Sequence, residues 1–341
     1  MTLLYLSILL IIYALFKTRN KAFDNIIYVI TFITIVLTKT FIDIYSLPDL
    51  ELYYAGWEEL AGVNWKDVPS YKLTFLKCPE IGFRYILKIG SFLGDFKWSL
   101  LIIASIHAYA FINVSKKYSP YVIISLIIFT LGSVQSYFVL RQWLAIAVTM
   151  FSYQYIISRN WKMFILLMLL AFSFHQTALV FILIYFFYGI KNVKFLNISL
   201  VITGIILLIS FSFIFNHFAT SLIGYEGYID SNEGNITTLL ISLCYFITYI
   251  FFLKSDIYKP GINKLIFIML ALNFIIMLAG HTNSGINRLM MYYSVSNILS
   301  VPITIKYIKQ PVIRYLYTSS IIAILMYLLL HGNNSEYLNP I

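Results

Sequence analysis

Residues 137–178 contain two apolar stretches, and each is interrupted by one strongly polar side chain, Arg141 in the first and His175 in the second. Both residues are of types that handle charged substrates. Arg141 carries a permanent positive charge, and its planar guanidinium binds phosphate through paired hydrogen bonds. His175 can take up or release a proton near neutral pH. An ionisable group in hydrocarbon is costly, so it normally faces a cavity or the interior of a helix bundle. Arg141 and His175 therefore predict an active site that is reached from one side of a membrane.

The composition indicates the class of protein that must hold these two residues. Of the 341 residues, 60% are hydrophobic and only 11% are charged, whereas a soluble domain carries about 25% charged residues. A globular core could not bury so much apolar surface. The sequence therefore predicts an all-α, polytopic integral membrane protein with about twelve transmembrane helices.

The basic residues predict how these helices are oriented. The net charge of +10 is explained by the excess of Lys and Arg in cytoplasmic loops, and no nucleic acid partner is expected. Residues 2–16 are followed by positive charges, which indicates a first membrane helix rather than a signal peptide. We expect a single transmembrane domain over residues 1–341, with a long external loop at 46–96 and a second external loop at 216–235. Within the first loop, residues 80–93 predict an amphipathic helix.

A change of direction is predicted at His175. Residues 163–188 are about long enough for one helix, yet basic clusters lie on both sides of this segment. If both clusters are cytoplasmic, the segment must turn back, as two short helices that meet near His175. One continuous helix with a hydrogen-bonded histidine is the alternative. Residues 137–157 and 287–305 are each expected to form one helix.

Several polar residues fall at the outer face on this topology, and together they suit an anionic ligand. Snorkelling of each arginine to lipid headgroups is the alternative. His175 would begin a helix, where the dipole favours a neutral ring that can accept a proton. Asp49 and Glu80 are alternative bases, whereas His107 is expected to have a structural role. The outward-facing candidates are Arg84, Arg141, Gln142, His175, His281 and Arg288.

Five short segments, in this order and spacing, resemble those of EpsG-like, Wzy-type bacterial polysaccharide polymerases. SYFVLRQWLAIAV at 136–148 is similar to an R-Q-x-x-A signature, and FSFHQTALV at 172–180 is similar to an F-H-x-[ST]-A-L segment. PDLELYY at 48–54 resembles a D-x-x-x-Y stretch, and EIGFRYILKIG at 80–90 resembles an E-x-G-[FY] stretch. GINRLMMYY at 285–293 is similar to a late Arg–Tyr element.

This resemblance implies a fold, a reaction and its partners. It implies a GT-C-like helix bundle in the bacterial inner membrane, with a long outer loop after the second helix and an active site facing the periplasm or the cell exterior. The reaction would join oligosaccharide repeat units carried on undecaprenyl pyrophosphate, in O-antigen, capsule or exopolysaccharide assembly, without a metal or another cofactor. Membrane lipid, a chain-length regulator and a flippase would be its further partners.

The resemblance also assigns roles to individual residues. Arg141 and Arg288 would hold the pyrophosphates, and His175 would be the base or orient the acceptor, which makes these three the catalytic candidates. The expected substrate-binding residues are Asp49, Glu80, Arg84, Gln142, His281 and Tyr292.

Three other functions remain open at this point. A lipid-linked oligosaccharide flippase should carry polar groups through both leaflets and show repeated halves, and neither feature is found in the sequence. An O-antigen ligase would use the same donor with a different acceptor. A membrane O-acyltransferase would have a donor site that faces the cytoplasm, whereas Arg141 and His175 face outward on this topology.

Overall fold

The structure is a computed structural model that describes residues 2–15, 21–47, 49–76, 78–218, 236–279 and 284–331. The described part of the chain is helical and holds no strand. The first seven helices are α1 (Thr2–Leu15), α2 (Lys21–Thr40), α3 (Leu50–Ala61), α4 (Ile81–Phe92), α5 (Phe96–Tyr118), α6 (Val122–Gly132) and α7 (Leu140–Phe151). The next four are α8 (Tyr153–Ile157), α9 (Trp161–Phe174), α10 (Ile182–Gly189) and α11 (Val193–Phe218). The last five are α12 (Ile236–Leu253), α13 (Ile262–Ala279), α14 (Ser284–Ser294), α15 (Asn297–Tyr307) and α16 (Pro311–His331).

Five of these helices are long and apolar enough to cross a membrane. They cover Ala22–Thr40, Phe96–Tyr118, Ile236–Tyr258, Ile262–Ala279 and Pro311–Leu330. Six shorter apolar helices of 10–17 residues accompany them. Many large apolar side chains on α11, α12 and α16 are exposed, as expected for faces in contact with lipid. The protein is thus an all-α polytopic membrane protein, as the composition predicts.

The helices form two compact units. The first unit comprises Met1–Phe151, Leu169–Gln176 and Gln310–Ile341. In it α5 packs against α2, α4 and α7, while α6 packs against α1 and α16. The second unit comprises Ser152–Met168 and Thr177–Lys309, and α13 packs there against α10, α11, α12 and α14. The expectation of a single transmembrane domain stays a prediction.

The long external loop predicted at 46–96 contains two helices, α3 and α4, which pack against each other. The amphipathic helix predicted over 80–93 is present as α4. The second predicted external loop at 216–235 lies, beyond the end of α11, outside the described residues.

The chain reverses its direction between α9 and α10. Within the second unit, the guanidinium of Arg159 donates to the carbonyl of Tyr185, and the Tyr185 hydroxyl donates back to the carbonyl of Arg159. The ring of Phe164 stacks on Tyr185 with centroids 4.7 Å apart. Residues far apart in this segment therefore meet, which requires a hairpin rather than one straight helix. His175 lies between the two arms, directly before a 3₁₀ helix over Gln176–Phe181.

Two segments that were expected to be single helices are interrupted. The segment 137–157 begins with the end of a 3₁₀ helix over Val134–Tyr137 and continues as α7 and α8, and the segment 287–305 is divided into α14 and α15. The expectation of one helix in each segment is wrong. Ser152 separates α7 from α8, and Ser296 lies between α14 and α15. Serine has a weak preference for helix interiors, because its hydroxyl competes for backbone groups.

Candidate active site

One buried carboxylate joins the two residues that stood out in the sequence. Arg141 donates from Nη1 to Glu80 Oε2 at 2.8 Å, and His175 donates from Nδ1 to Glu80 Oε1 at 2.9 Å. The side chains of Glu80 and His175 are 3% and 4% exposed, and that of Arg141 is 14% exposed. All three residues belong to the first unit. We call Glu80, Arg141 and His175 the ionic cluster.

The ionic cluster fixes how the imidazole can act. An ionised carboxylate only accepts hydrogen bonds, so the proton of the neutral ring must be on Nδ1. Nε2 is then the ring atom with a lone pair for a further proton. A positive charge formed on the ring by that proton would be stabilised by the neighbouring Glu80 carboxylate. The arrangement can therefore act as a general base next to a fixed cation.

Three separate elements bring the ionic cluster together. Glu80 immediately precedes α4, Arg141 lies in the first turn of α7, and His175 directly follows α9. The backbone N–H of His175 bonds to the carbonyl of Ala171 at 2.9 Å. His175 therefore lies at the junction where α9 ends and the 3₁₀ helix Gln176–Phe181 begins.

Gly82 explains how α4 approaches the last turn of α9. A Cβ atom at Gly82 would lie 2.8 Å from the backbone carbonyl oxygen of Ser173, and it would also collide with the Ser173 hydroxyl. Ser173 is two residues before His175, and Gly82 is two residues after Glu80. The glycine of the E-x-G-[FY] stretch thus allows the contact that brings the carboxylate to the imidazole.

Gly82→Ala is therefore expected to impair the site without unfolding the protein. Overpacking against a backbone atom costs about 1–3 kcal/mol and moves the two helices apart. We expect about a tenfold loss of activity, since small displacements of reacting groups are costly. Gly62→Ala is the matched control, because Gly62 ends α3 at a φ of −83° and nothing lies within 4 Å of its added Cβ. Equal activity of the two variants would contradict this explanation.

Cys78 adds a third donor to the Glu80 carboxylate. Its Sγ lies 3.3 Å from Glu80 Oε2. Burial, together with the nearby Glu80, raises the pKa of the Cys78 thiol to about 11, even though Arg141 opposes the shift. The thiol is therefore protonated and donates. Burial alone would raise the pKa of Glu80, but the hydrogen bond from His175 and the charge of Arg141 outweigh it and lower this pKa from 4.5 to about 2.

This low pKa predicts a stability difference that depends on pH. Because the pKa of Glu80 is depressed in the folded protein, its ionised form stabilises the fold fully above about pH 4.5, and this contribution is lost as the pH falls towards 2. Wild-type protein and Glu80→Gln, purified in detergent, should differ in their unfolding temperature at pH 7, and the difference should shrink at pH 3. A difference of constant size would show that the charge of Glu80 does not stabilise the fold.

Tyr53 approaches the ionic cluster from the long external loop. The Arg141 guanidinium lies 5.9 Å from the centroid of the Tyr53 ring, and Tyr53 also packs edge-on against Phe83. Asp49 precedes α3 with a left-handed φ of 66°, and its carbonyl accepts from the Tyr53 N–H. The sequence analysis names Asp49 of the D-x-x-x-Y stretch as a candidate and does not name Tyr53. The same motif could have indicated Tyr53, because aromatic faces attract guanidinium groups.

Two other residues that were predicted to bind substrate, Gln142 and Arg84, also belong to the first unit. Gln142 is fully buried next to Arg141 on α7. Arg84 lies on the first turns of α4, and its guanidinium donates to backbone carbonyls at distances from 2.6 to 3.4 Å. These carbonyls belong to Val68, Pro69, Tyr71 and Cys78. The geometry therefore gives Arg84 a loop-organising role, which the sequence did not predict.

Two further predicted residues, Arg288 and Tyr292, belong to the second unit. Tyr292 is fully buried, and its hydroxyl lies 3.2 Å from the Thr177 hydroxyl. Tyr293 donates to the carbonyl of Val180 at 2.5 Å. Within the second unit, residues 177–180 and the late Arg–Tyr element thus meet. Arg288 lies on α14 and is half-buried. His281 is outside the described residues.

A second buried polar cluster lies in the first unit, around Lys39 at the end of α2. Lys39 Nζ donates to the carbonyl and the hydroxyl of Ser136 at 2.8 and 2.7 Å, and it lies 2.6 Å from His107 Nδ1. The Thr38 hydroxyl bonds to that of Tyr137 at 2.9 Å. These bonds fix the short 3₁₀ segment that leads into α7. Lys39 therefore helps to orient the helix that carries Arg141. The structural role expected for its neighbour His107 stays a prediction.

The model of the EpsG family matches residues 48–339, a range that includes every member of the ionic cluster. No curated protein and no solved structure matches the chain. Within the described residues, no group of three or more His, Cys, Asp or Glu side chains could hold a metal ion.

Proposed function

The chain belongs to the EpsG family, and on that premise we propose that it is a polysaccharide polymerase. It joins oligosaccharide repeat units carried on undecaprenyl pyrophosphate, at the outer face of the bacterial inner membrane and without a metal. Family membership supports a polymerase-type role in polysaccharide biosynthesis. The observation that carries the proposal is the pair of hydrogen bonds made by the Glu80 carboxylate. One oxygen accepts from the buried imidazole of His175, and the other accepts from the partly exposed guanidinium of Arg141.

The proposed reaction uses the ionic cluster in one step. Nε2 of His175 accepts the proton of a hydroxyl on the non-reducing-end sugar of a new repeat unit. The hydroxyl oxygen forms a bond to the anomeric carbon of the growing chain, and the bond from that carbon to the pyrophosphate oxygen breaks. The leaving pyrophosphate takes the electron pair, and Arg141 stabilises its negative charge. We assign Arg288 to the second pyrophosphate.

Glu80 acts in this scheme through its neighbours. Its carboxylate orients the imidazole, stabilises the imidazolium and keeps the guanidinium of Arg141 beside the base. We therefore assign Glu80 a positioning role, in place of the role in acceptor binding expected from the sequence. The partly exposed Arg141 is the member of the cluster that a pyrophosphate can reach.

A polysaccharide gel of a deletion strain tests the function. The strain is complemented with wild type, Arg141→Ala or Arg314→Ala, and the last variant is a control that removes a guanidinium from the first turn of α16. We expect a full ladder with wild type and the control, and a single repeat unit joined to its acceptor with Arg141→Ala at equal protein abundance.

Other patterns on the gel would overturn the proposal. Polymer that accumulates on the carrier lipid in the deletion strain, without reaching its final acceptor, would indicate a ligase. Single repeat units that remain on the cytoplasmic face would indicate a flippase. A full ladder with Arg141→Ala would remove this residue from the mechanism.

A further inference from the structure

An aromatic surface is formed by α4 and the loop before it, in the same unit as the ionic cluster. The indole of Trp65 lies nearly parallel to the ring of Tyr85, at 12° and with centroids 6.4 Å apart. Phe92 packs edge-on against the same indole at 6.0 Å. Lys88 Nζ is 5.7 Å from the centroid of the Trp65 ring. We call Trp65, Tyr85 and Phe92 the Trp65 platform.

The loop that carries Trp65 is held in a defined shape. Arg84 binds three of its carbonyls, and the Glu59 carboxylate accepts from the backbone N–H groups of Thr74 and Phe75 at 2.7 and 3.2 Å. Lys88 donates to the carbonyls of Leu60 and Ala61, where α3 ends, at 3.0 Å each. The side chain of Val68 is fully buried beneath the loop. A surface that is ordered in advance loses little entropy when it binds a ligand.

The loop side of the platform is hydrophilic, although its centre is aromatic and the exposed Ile89 lies on α4 between Tyr85 and Phe92. Trp65 is 43% exposed, and the neighbouring Asn64, Lys66 and Asp67 are exposed as well. Hydrocarbon would bury these charges at a high cost. A saccharide matches both features, because its C–H face can lie on an aromatic ring while its hydroxyls bond to amide, carboxylate and ammonium groups.

The distance along α4 relates the platform to the ionic cluster. Tyr85 and Phe92 follow Glu80 by five and twelve residues, which corresponds to about 7.5 and 18 Å along a helix axis. The platform therefore extends from about one to about three helical turns beyond the carboxylate. We propose that the Trp65 platform is a saccharide-binding subsite, which holds the sugars of a lipid-linked chain beside the reacting end.

This inference rests on the proposed function for the identity of its ligand, and it makes a separate prediction about chain length. A subsite that retains the growing chain between additions favours long products, whereas the ionic cluster determines whether any bond forms. Loss of the platform should therefore shorten the polymer without stopping polymerisation.

Three variants test the subsite in the complemented deletion strain. Trp65→Ala removes the ring, Trp65→Tyr keeps an aromatic face, and Trp98→Ala is a control on α5 with a similar exposure of 45%. We expect a shorter polymer with Trp65→Ala only. A wild-type length with Trp65→Ala would overturn the proposal, and so would equal shortening with Trp98→Ala, which would indicate a general effect of interfacial aromatic residues.

Direct binding separates the subsite from the reaction. Purified full-length protein in nanodiscs is titrated with oligosaccharides obtained by partial acid hydrolysis of the strain's own polysaccharide. We expect Trp65→Ala to bind about tenfold more weakly than wild type, which corresponds to about 1.4 kcal/mol, and Arg141→Ala to bind as wild type does. Equal affinities of wild type and Trp65→Ala would overturn the subsite. Trp65→Ala could weaken oligosaccharide binding while the Arg141→Ala strain still makes a full ladder. That pair of results would contradict the proposed reaction and support the saccharide subsite.

Discussion

Glu80→Gln is expected to lower chain extension by about 10²-fold or more, although the replacement has nearly the same shape. A glutamine offers one carbonyl oxygen and one amide nitrogen. In either orientation, the amide N–H₂ faces Arg141 or His175, where the carboxylate accepts a hydrogen bond in the wild type. Either His175 or Arg141 would therefore lose its hydrogen bond to residue 80. In both cases the imidazolium of His175 would lose the negative charge that stabilises it. The rate is measured in membranes that are supplied with lipid-linked repeat units.

The same substitution elsewhere in the long external loop provides the control. Glu51 lies in the first turn of α3 and is exposed. We expect Glu51→Gln to retain the wild-type rate, because its carboxylate is in water. A Glu80→Gln variant that keeps the wild-type rate would show that the ionic cluster is not used in the reaction.

His175→Ala is expected to cause a loss of similar size, by removing the proton acceptor. A base in the right position contributes about 10²–10⁴-fold to a rate. Alanine also leaves a small cavity beside Glu80, so free imidazole in the buffer should restore part of the activity. The measurement is the rate of extension by His175→Ala with and without imidazole, at equal protein abundance.

His175→Gln distinguishes a base from a purely structural histidine. The glutamine amide can still donate to Glu80, but it cannot take up a proton at neutral pH. We expect a stable protein that is as inactive as His175→Ala. More than about a tenth of the wild-type activity in His175→Gln would exclude a general-base role of the expected size.

The sequence predicted the parts of this site that depend on local pattern. Arg141 and His175 were recognisable because each is a polar group in an apolar stretch. The reversal near His175 followed from basic clusters on both sides of one short apolar segment, and the bonds between Arg159 and Tyr185 confirm that the chain turns back. Helix α4 followed from the spacing of its apolar residues.

The contacts that assemble the site were not predictable in the same way. Glu80 is 61 residues from Arg141 and 95 residues from His175 in the chain, and no periodic pattern encodes such pairings. For the same reason, the bonds from Arg84 Nε and Nη1 to backbone carbonyls of the preceding loop were not predictable. Lys39 is 68 residues from His107, so the second buried cluster could not be recognised either. The role of Gly82 can be recognised only in the folded protein, where Ser173 packs against it.

Chain extension by the purified protein would show whether this chain alone joins repeat units and whether it needs Glu80 to do so. Proteoliposomes would contain only this protein and repeat units on undecaprenyl pyrophosphate, and products would be resolved on a gel over time. We expect a growing ladder with wild type and only single repeat units with Glu80→Gln. A wild-type protein that leaves the repeat units unjoined, or a Glu80→Gln ladder that grows at the wild-type rate, would contradict this expectation.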